Sequence, residues 1–199
     1  MRANCYILVD EASGEGALID PGGEAERLLG VIRREKIILR AILLTQGHSD
    51  HIGAAKDIKK ALGIPVACHA DDSKFLFDAD LNMSSRFGGA VSLTPDMAYA
   101  DGDAISFAGF ELKAMHTPGH TPGGVCIYFP ALKLLLGGDT LFADTIGRTD
   151  LYLSDNMAMI ASLEKLKAQE FPDDTILVPG HGRTEKIGEV RRRNPYFRP

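Results

Sequence analysis

Tryptophan is missing from this chain, cysteine occurs only three times, and aromatic residues make up 7% of its 199 positions. A core without indole rings must be built from Leu, Ile, Val and Ala. The 45% apolar content supplies enough of these for one well-buried domain or two fused half-domains. Cys5, Cys68 and Cys126 are odd in number, far apart and set in strand-like apolar stretches. That spacing excludes a thiolate metal cluster or a redox pair and leaves buried thiols in a reducing compartment. Long apolar runs are lacking too, since none approaches the roughly 20 residues needed to cross a bilayer. No charged-then-apolar leader opens the chain, so a cytoplasmic protein with no membrane partner is expected. Strong charge of one sign is also absent. A formal net charge of −5 gives no reason to expect a nucleic-acid partner. The run Arg191-Arg192-Arg193 reads first as a solvated helix face and second as an attractor for an anionic substrate.

What the chain does have is a succession of short apolar runs that stop at polar turns. Tyr6 to Val9 and Ala17 to Ile19 predict strands joined by the turn-prone Ser13-Gly14-Glu15-Gly16. Leu28, Leu29 and Ile32 share one face of a helix predicted from Glu24 to Lys36, and Ile37 to Thr45 reads as a strand. A helix is predicted from Ile52 to Leu62, stopped by Gly63 and Pro65, before a short strand from Ile64 to His69. Asp80 to Pro95 is the least patterned stretch and is expected to be a loop beside the site. Further strands are expected at 104–107, 110–115, 125–129, 133–136 and 175–178, with helices at about 155–169 and 187–193. Two mixed sheets facing each other with helices outside satisfy this order. No low-complexity linker divides the chain, so a single domain over 1–199 with two pseudo-symmetric halves, about 1–100 and 101–199, is the simplest account.

The chemistry gathers where strands end. Thr45-Gln46-Gly47-His48-Ser49-Asp50-His51, His116-Thr117-Pro118-Gly119-His120-Thr121-Pro122-Gly123 and Pro179-Gly180-His181-Gly182 each follow an apolar run, as does Gly137-Gly138-Asp139-Thr140. Rigid strands can aim such groups at one point from distant parts of a sequence. Imidazole and carboxylate without thiolate suit Zn, Fe or Mn and favour a catalytic over a closed structural site. His48, Asp50 and His51 share no single face of a helix or strand, so only a curled loop, eased by Gly47 and Ser49, is expected to turn all three inward. The helix starting at Ile52 would then point its N-terminus at the site.

In these segments the chain resembles a metallo-β-lactamase-fold hydrolase, and within that superfamily the short glyoxalase II-like (hydroxyacylglutathione hydrolase-like) branch. Ala3-Asn4-Cys5-Tyr6, Ile19-Asp20-Pro21-Gly22-Gly23, Gly137-Gly138-Asp139-Thr140-Leu141-Phe142 and Ile146-Gly147-Arg148-Thr149-Asp150 extend the likeness over nearly the whole length. The resemblance implies a four-layer αββα sandwich with metals at one edge between the sheets. It implies one site from Gln46, His48 and His120, a second from Asp50, His51 and His181, and Asp139 bridging them. Where the family has histidine this chain has Gln46, a neutral and weaker donor for zinc, so the second site is expected to hold metal more firmly.

The function implied is cleavage of a thioester or ester in a small-molecule substrate by a metal-activated hydroxide that Asp50 orients. Zinc is the first expectation, as one or two ions, with iron or manganese as alternatives. A mononuclear iron persulfide dioxygenase-like enzyme and a degenerate metal-binding scaffold without catalysis are the rival readings. A nuclease would need an inserted domain and a basic cleft, and neither is evident. His69 and His116 read more simply as hydrogen-bonded histidines than as ligands, His116 with a role behind the site as its alternative. Arg148 and Asp150 are expected to form a buried pair that props the site, in a structural or a functional role.

Overall fold

The computed structural model describes residues 3–86 and 89–198. One sheet holds β1 (Tyr6–Val9), β2 (Glu15–Ile19), β3 (Ile38–Leu43), β4 (Val66–His69) and β5 (Met97–Tyr99) in that spatial order. Its β1–β2 pair is antiparallel and the rest are parallel. The other holds β6 (Ala104–Phe107), β7 (Phe110–His116), β8 (Val125–Phe129), β9 (Leu134–Gly138), β10 (Ile176–Pro179) and β11 (Glu185–Lys186), again in chain order. There only β9 and β10 run parallel. The helices are α1 (Ala25–Arg34), α2 (Ser49–Ile52), α3 (Ala55–Leu62), α4 (Ser73–Phe77), α5 (Asn156–Lys167) and α6 (Ile187–Arg193). No helix among the described residues is long and apolar enough to cross a membrane.

Side-chain alternation along each strand sorts the apolar residues into three cores. Ala17, Ile19, Ala41 and Leu43 of the first sheet meet Ala114, Val125, Ile127 and Leu136 of the second in a central layer. Their neighbours Leu18, Ile42 and Val66 turn outward onto Leu29 and Ile32 of α1 and Ile58 of α3. Met115, Cys126, Leu135 and Leu177 turn outward from the second sheet onto α5 and α6. Each large side chain fully buried in this way is worth about 1.5–3 kcal/mol. The result is the αββα sandwich that the sequence predicts.

One helix departs from expectation. The helical path begins at Ser49 rather than Ile52, and it breaks between Ile52 and Ala55. At the break the amide of Ala54 donates to the carbonyl of Pro21 at 2.8 Å, so the Pro21-Gly22 turn takes the place of the helix's own carbonyl. The strands β5 and β11 and the helix α4, with three, two and five residues, are too short to give a periodic signal. The described residues of the stretch 80–95, which are 80–86 and 89–95, form a loop as predicted, with one 3-10 turn at Ser84–Arg86.

Pairing fixes where the site lies. β2 to β5 share one direction, and so do β7, β9 and β10. The carboxyl ends of these strands therefore deliver the turns after β3, β7, β9 and β10 to one edge of the sandwich.

Candidate metal centre

At that edge Asp139, just past β9, is the hub. Its Oδ2 lies 3.4 Å from His120 Nε2, 3.4 Å from His181 Nε2 and 3.6 Å from His51 Nε2. His181 Nε2 is 3.3 Å from Asp50 Oδ2, and His48 Nδ1 is 3.1 Å from His120 Nε2. Donor atoms around a tetrahedral ion with bonds of about 2.1 Å sit about 3.4 Å apart. All six residues predicted as ligands are thus brought together at ligand-like spacing. The loop's curl comes from placing His48 in extended backbone at the N-terminus of α2, with Asp50 and His51 in its first turn.

Fit to a cation rests on what remains unpaired. Buried side-chain nitrogens and oxygens with no hydrogen-bond partner, among the described residues, belong to Gln46, His51, Asp139 and Thr175. Leaving such an atom unmet costs about 1–3 kcal/mol, yet three of these four residues come from the predicted ligand set. Both Gln46 amide atoms are among them, and the side chain is almost wholly buried. Nitrogen and oxygen donors held this way suit a borderline divalent cation.

Neighbouring groups aim the ligands. Asp20, at the end of β2, lies 3.0 Å from His51 Nδ1 and accepts bonds from the amide and hydroxyl of Thr45. The Nδ1–H of His120 donates to the Arg148 carbonyl at 2.9 Å. A carbonyl only accepts, so this bond leaves His120 Nε2 as the lone pair facing the cluster. Asp72, fully buried, accepts from Gly47 N at 2.9 Å, Thr121 Oγ1 at 2.8 Å and Gly123 N at 2.6 Å. One carboxylate thereby ties the His48 loop to the His120 turn. Gly180 is required by close approach, because a methyl there would run into Asp139 and His51.

The charges interlock. Burial and the nearby His120 and His51 push His48 down to about 3, so it is neutral. Hydrogen bonds to Asp139 and Asp50 raise His181 to about 9 despite its burial. Burial opposes the charged form of His51, but Asp20 and Asp139 outweigh it and raise its pKa well above the usual value. For Asp139 burial likewise acts against ionisation, and the bonds from His181 and His51 win, holding it far below the carboxylate range. Asp50 is lowered too, with burial opposing and His181 and His51 prevailing.

A cavity of about 630 Å³ opens onto His48, Asp50, His120, Asp139 and His181. Its walls include Met83 and Val91 from the 80–95 loop, with Phe142, Ile146 and Leu151 across from them. Arg148 also lines it.

One expectation about the site needs correction. Arg148 and Asp150 do pair through two bonds of 2.6 and 2.7 Å, but their side chains are 54% and 69% exposed, a surface contact and no buried prop. The segment between β9 and α5 has no strand or helix at these positions, and water can reach both groups. Arg148 reaches the site through its backbone carbonyl instead. His116 is the hydrogen-bonded histidine of the first reading: it stacks on His69 and bonds to Pro122, and among the described residues no side-chain contact to the cluster supports the alternative role behind the site. Sequence reasoning assigned no role to Asp20 or Asp72. Asp20 carried the same signal as Asp139, a carboxylate just past an apolar strand. Asp72, inside a 3-10 turn, carried none.

A converging set of imidazoles and carboxylates at one edge of an αββα sandwich defines a class of metal-dependent hydrolases. The chain belongs to it, since the family described as the metallo-beta-lactamase superfamily matches residues 1–181. It is 37% identical to the hydroxyacylglutathione hydrolase GloC of Haemophilus influenzae, over 98% of this chain and 93% of that one. With the probable metallo-hydrolase YqgX of Bacillus subtilis it shares 33% identity over 99% and 93%. Among solved structures, the BLEG-1 B3 metallo-beta-lactamase superposes with a TM-score of 0.92 at 36% identity, covering 98% of this chain and 94% of the other. TTHA1623, solved in a di-iron-bound form, gives 0.82 at 34%, with the same coverage.

Proposed function

We propose that this protein is a glyoxalase II-like hydrolase that cleaves a thioester or ester of a small acyl substrate with the aid of one or two divalent cations, zinc first among them. The observation that carries this reading is Asp139, whose Oδ2 faces three imidazole nitrogens within 3.6 Å. The 37% identical hydroxyacylglutathione hydrolase supports the substrate class. Asp50, His51, His181 and Asp139 would form the firmer site, and Gln46, His48 and His120 the weaker. A bound divalent cation supplies a lowered water pKa and polarisation of the scissile carbonyl.

The chain's own residues do the rest. Asp50 stays ionised between His181 and His51, so its Oδ accepts a hydrogen bond from the attacking water and sets its direction. Met83, Val91, Phe142, Ile146 and Leu151 take the acyl chain and exclude bulk water. Arg148, beside them, meets any carboxylate the substrate carries. Hydrolysis of a panel of thioesters and esters tests the reading. Turnover that chelation abolishes and metal restores is expected, and absence of metal-dependent turnover on every thioester and ester of the panel overturns it. Metal content by mass spectrometry tests the unequal sites: Gln46→His is expected to raise stoichiometry from about one toward two.

A further inference from the structure

A second group of possible ligands lies outside the proposed centre. His69 closes β4 in one sheet and His116 closes β7 in the other, and their rings stack with centroids 3.9 Å apart and planes 9° from parallel. Asp71 Oδ2 sits 3.7 Å from His69 Nδ1 and 3.9 Å from His116 Nε2. The three donor atoms all fall within 4.8 Å of one another. Pro122 adds a carbonyl 2.8 Å from His116 Nε2. We propose that His69, Asp71, His116 and the Pro122 carbonyl form a second, peripheral cation site that takes a borderline transition ion such as Zn(II), Ni(II) or Cu(II).

Two imidazoles with one carboxylate select those ions over Mg(II) or Ca(II), which prefer oxygen throughout. The carboxylate lies only a few tenths of an ångström beyond the roughly 3.4 Å spacing of a tetrahedral ion's donors. Asp71 is 59% exposed, so its side chain turns inward without disturbing the core. The stacked rings must open for their nitrogens to converge. As they do, the His116 Nε2 proton transfers to Nδ1 through solvent, and the Pro122 carbonyl it leaves faces the ion. Burial and the adjacent His116 lower the pKa of His69, which keeps its ring neutral; its Nδ1 lone pair accepts a long bond of 3.3 Å from the Asp71 amide, which the ion displaces. Lys165, a cation that acts on His69, is engaged by Asp101 and the His116 carbonyl.

Such a site touches the first through the chain alone. Asp71 adjoins Asp72, which binds Gly47, Thr121 and Gly123, and His116 opens the turn that carries His120. An ion here would brace that turn from behind.

The test is a Cu(II) titration of the metal-loaded protein, read by stoichiometry and by electron paramagnetic resonance, for wild type, Asp71→Asn and His69→Gln. Wild type is expected to take up one equivalent more than either variant, with nitrogen couplings from two imidazoles, and Asp71→Asn to weaken that uptake at least tenfold. Melting curves confirm that both variants fold, and the exposed Asp71 makes the first a mild change. Full uptake by Asp71→Asn overturns the proposal. So does loss of the extra equivalent in an Asp139→Asn variant but in neither of the other two.

Discussion

His181 and His51 hold protons at neutral pH because carboxylates surround them, the first up to about 9 and the second well above its usual value. A ligating imidazole must give its proton up. Metal binding at pH 7 is therefore expected to release at least one proton, measured as a calorimetric heat that varies with the ionisation enthalpy of the buffer. The same shift fixes the pH response of the chelated protein. With the folded pKa of His181 above the ordinary histidine value of 6.5, the stabilisation is full below that value and disappears as pH rises through about 9. Thermal melts of the chelated form should fall across that window, and a flat profile would contradict the His181–Asp139 contact. Single residues were also where the sequence was most legible. His48, Asp50, His51, His120, Asp139 and His181 each sat in a turn that advertised it, whereas Asp72 acts through buried geometry that no neighbouring letter reveals.

Between residues and the whole lie the turns. Asp72 holds two of them by accepting three bonds, and its replacement by Asn keeps the volume while removing the charge and one of the two accepting oxygens. Outer-sphere changes of this kind cost about 10–100-fold in metal affinity or activity, and Asp72→Asn is expected to fall in that range by competition with a chelating dye. Gly180→Ala should be worse, since the added methyl collides with Asp139 and His51 at once; metal content by mass spectrometry should drop even where circular dichroism still shows a folded chain. Elements with many residues were readable from periodicity, as α5 and β7 show. The break between α2 and α3 was not, because its cause is the carbonyl of Pro21, which competes for an amide more than thirty positions away.

For the molecule entire, the two sheets divide the chain between Tyr99 and Ala104. Each contributes half of the cluster: His48, Asp50 and His51 follow the first, His120, Asp139 and His181 belong to the second. A cation shared in this way stabilises the packed state alone, by about 4 kcal/mol at a thousandfold excess over its dissociation constant. Chelation is expected to lower the melting temperature by about 10 °C as well as to abolish turnover. The sandwich was legible because alternation and helical periodicity separate inner from outer faces, while the pairing order, set by contacts distant in sequence, was not. Distance in sequence has a further effect during biosynthesis. The ribosome emits His48 long before His181, so a nascent chain carries incomplete chelating arms through most of its growth. Capture of the ion must come late, when the second sheet has closed over the first.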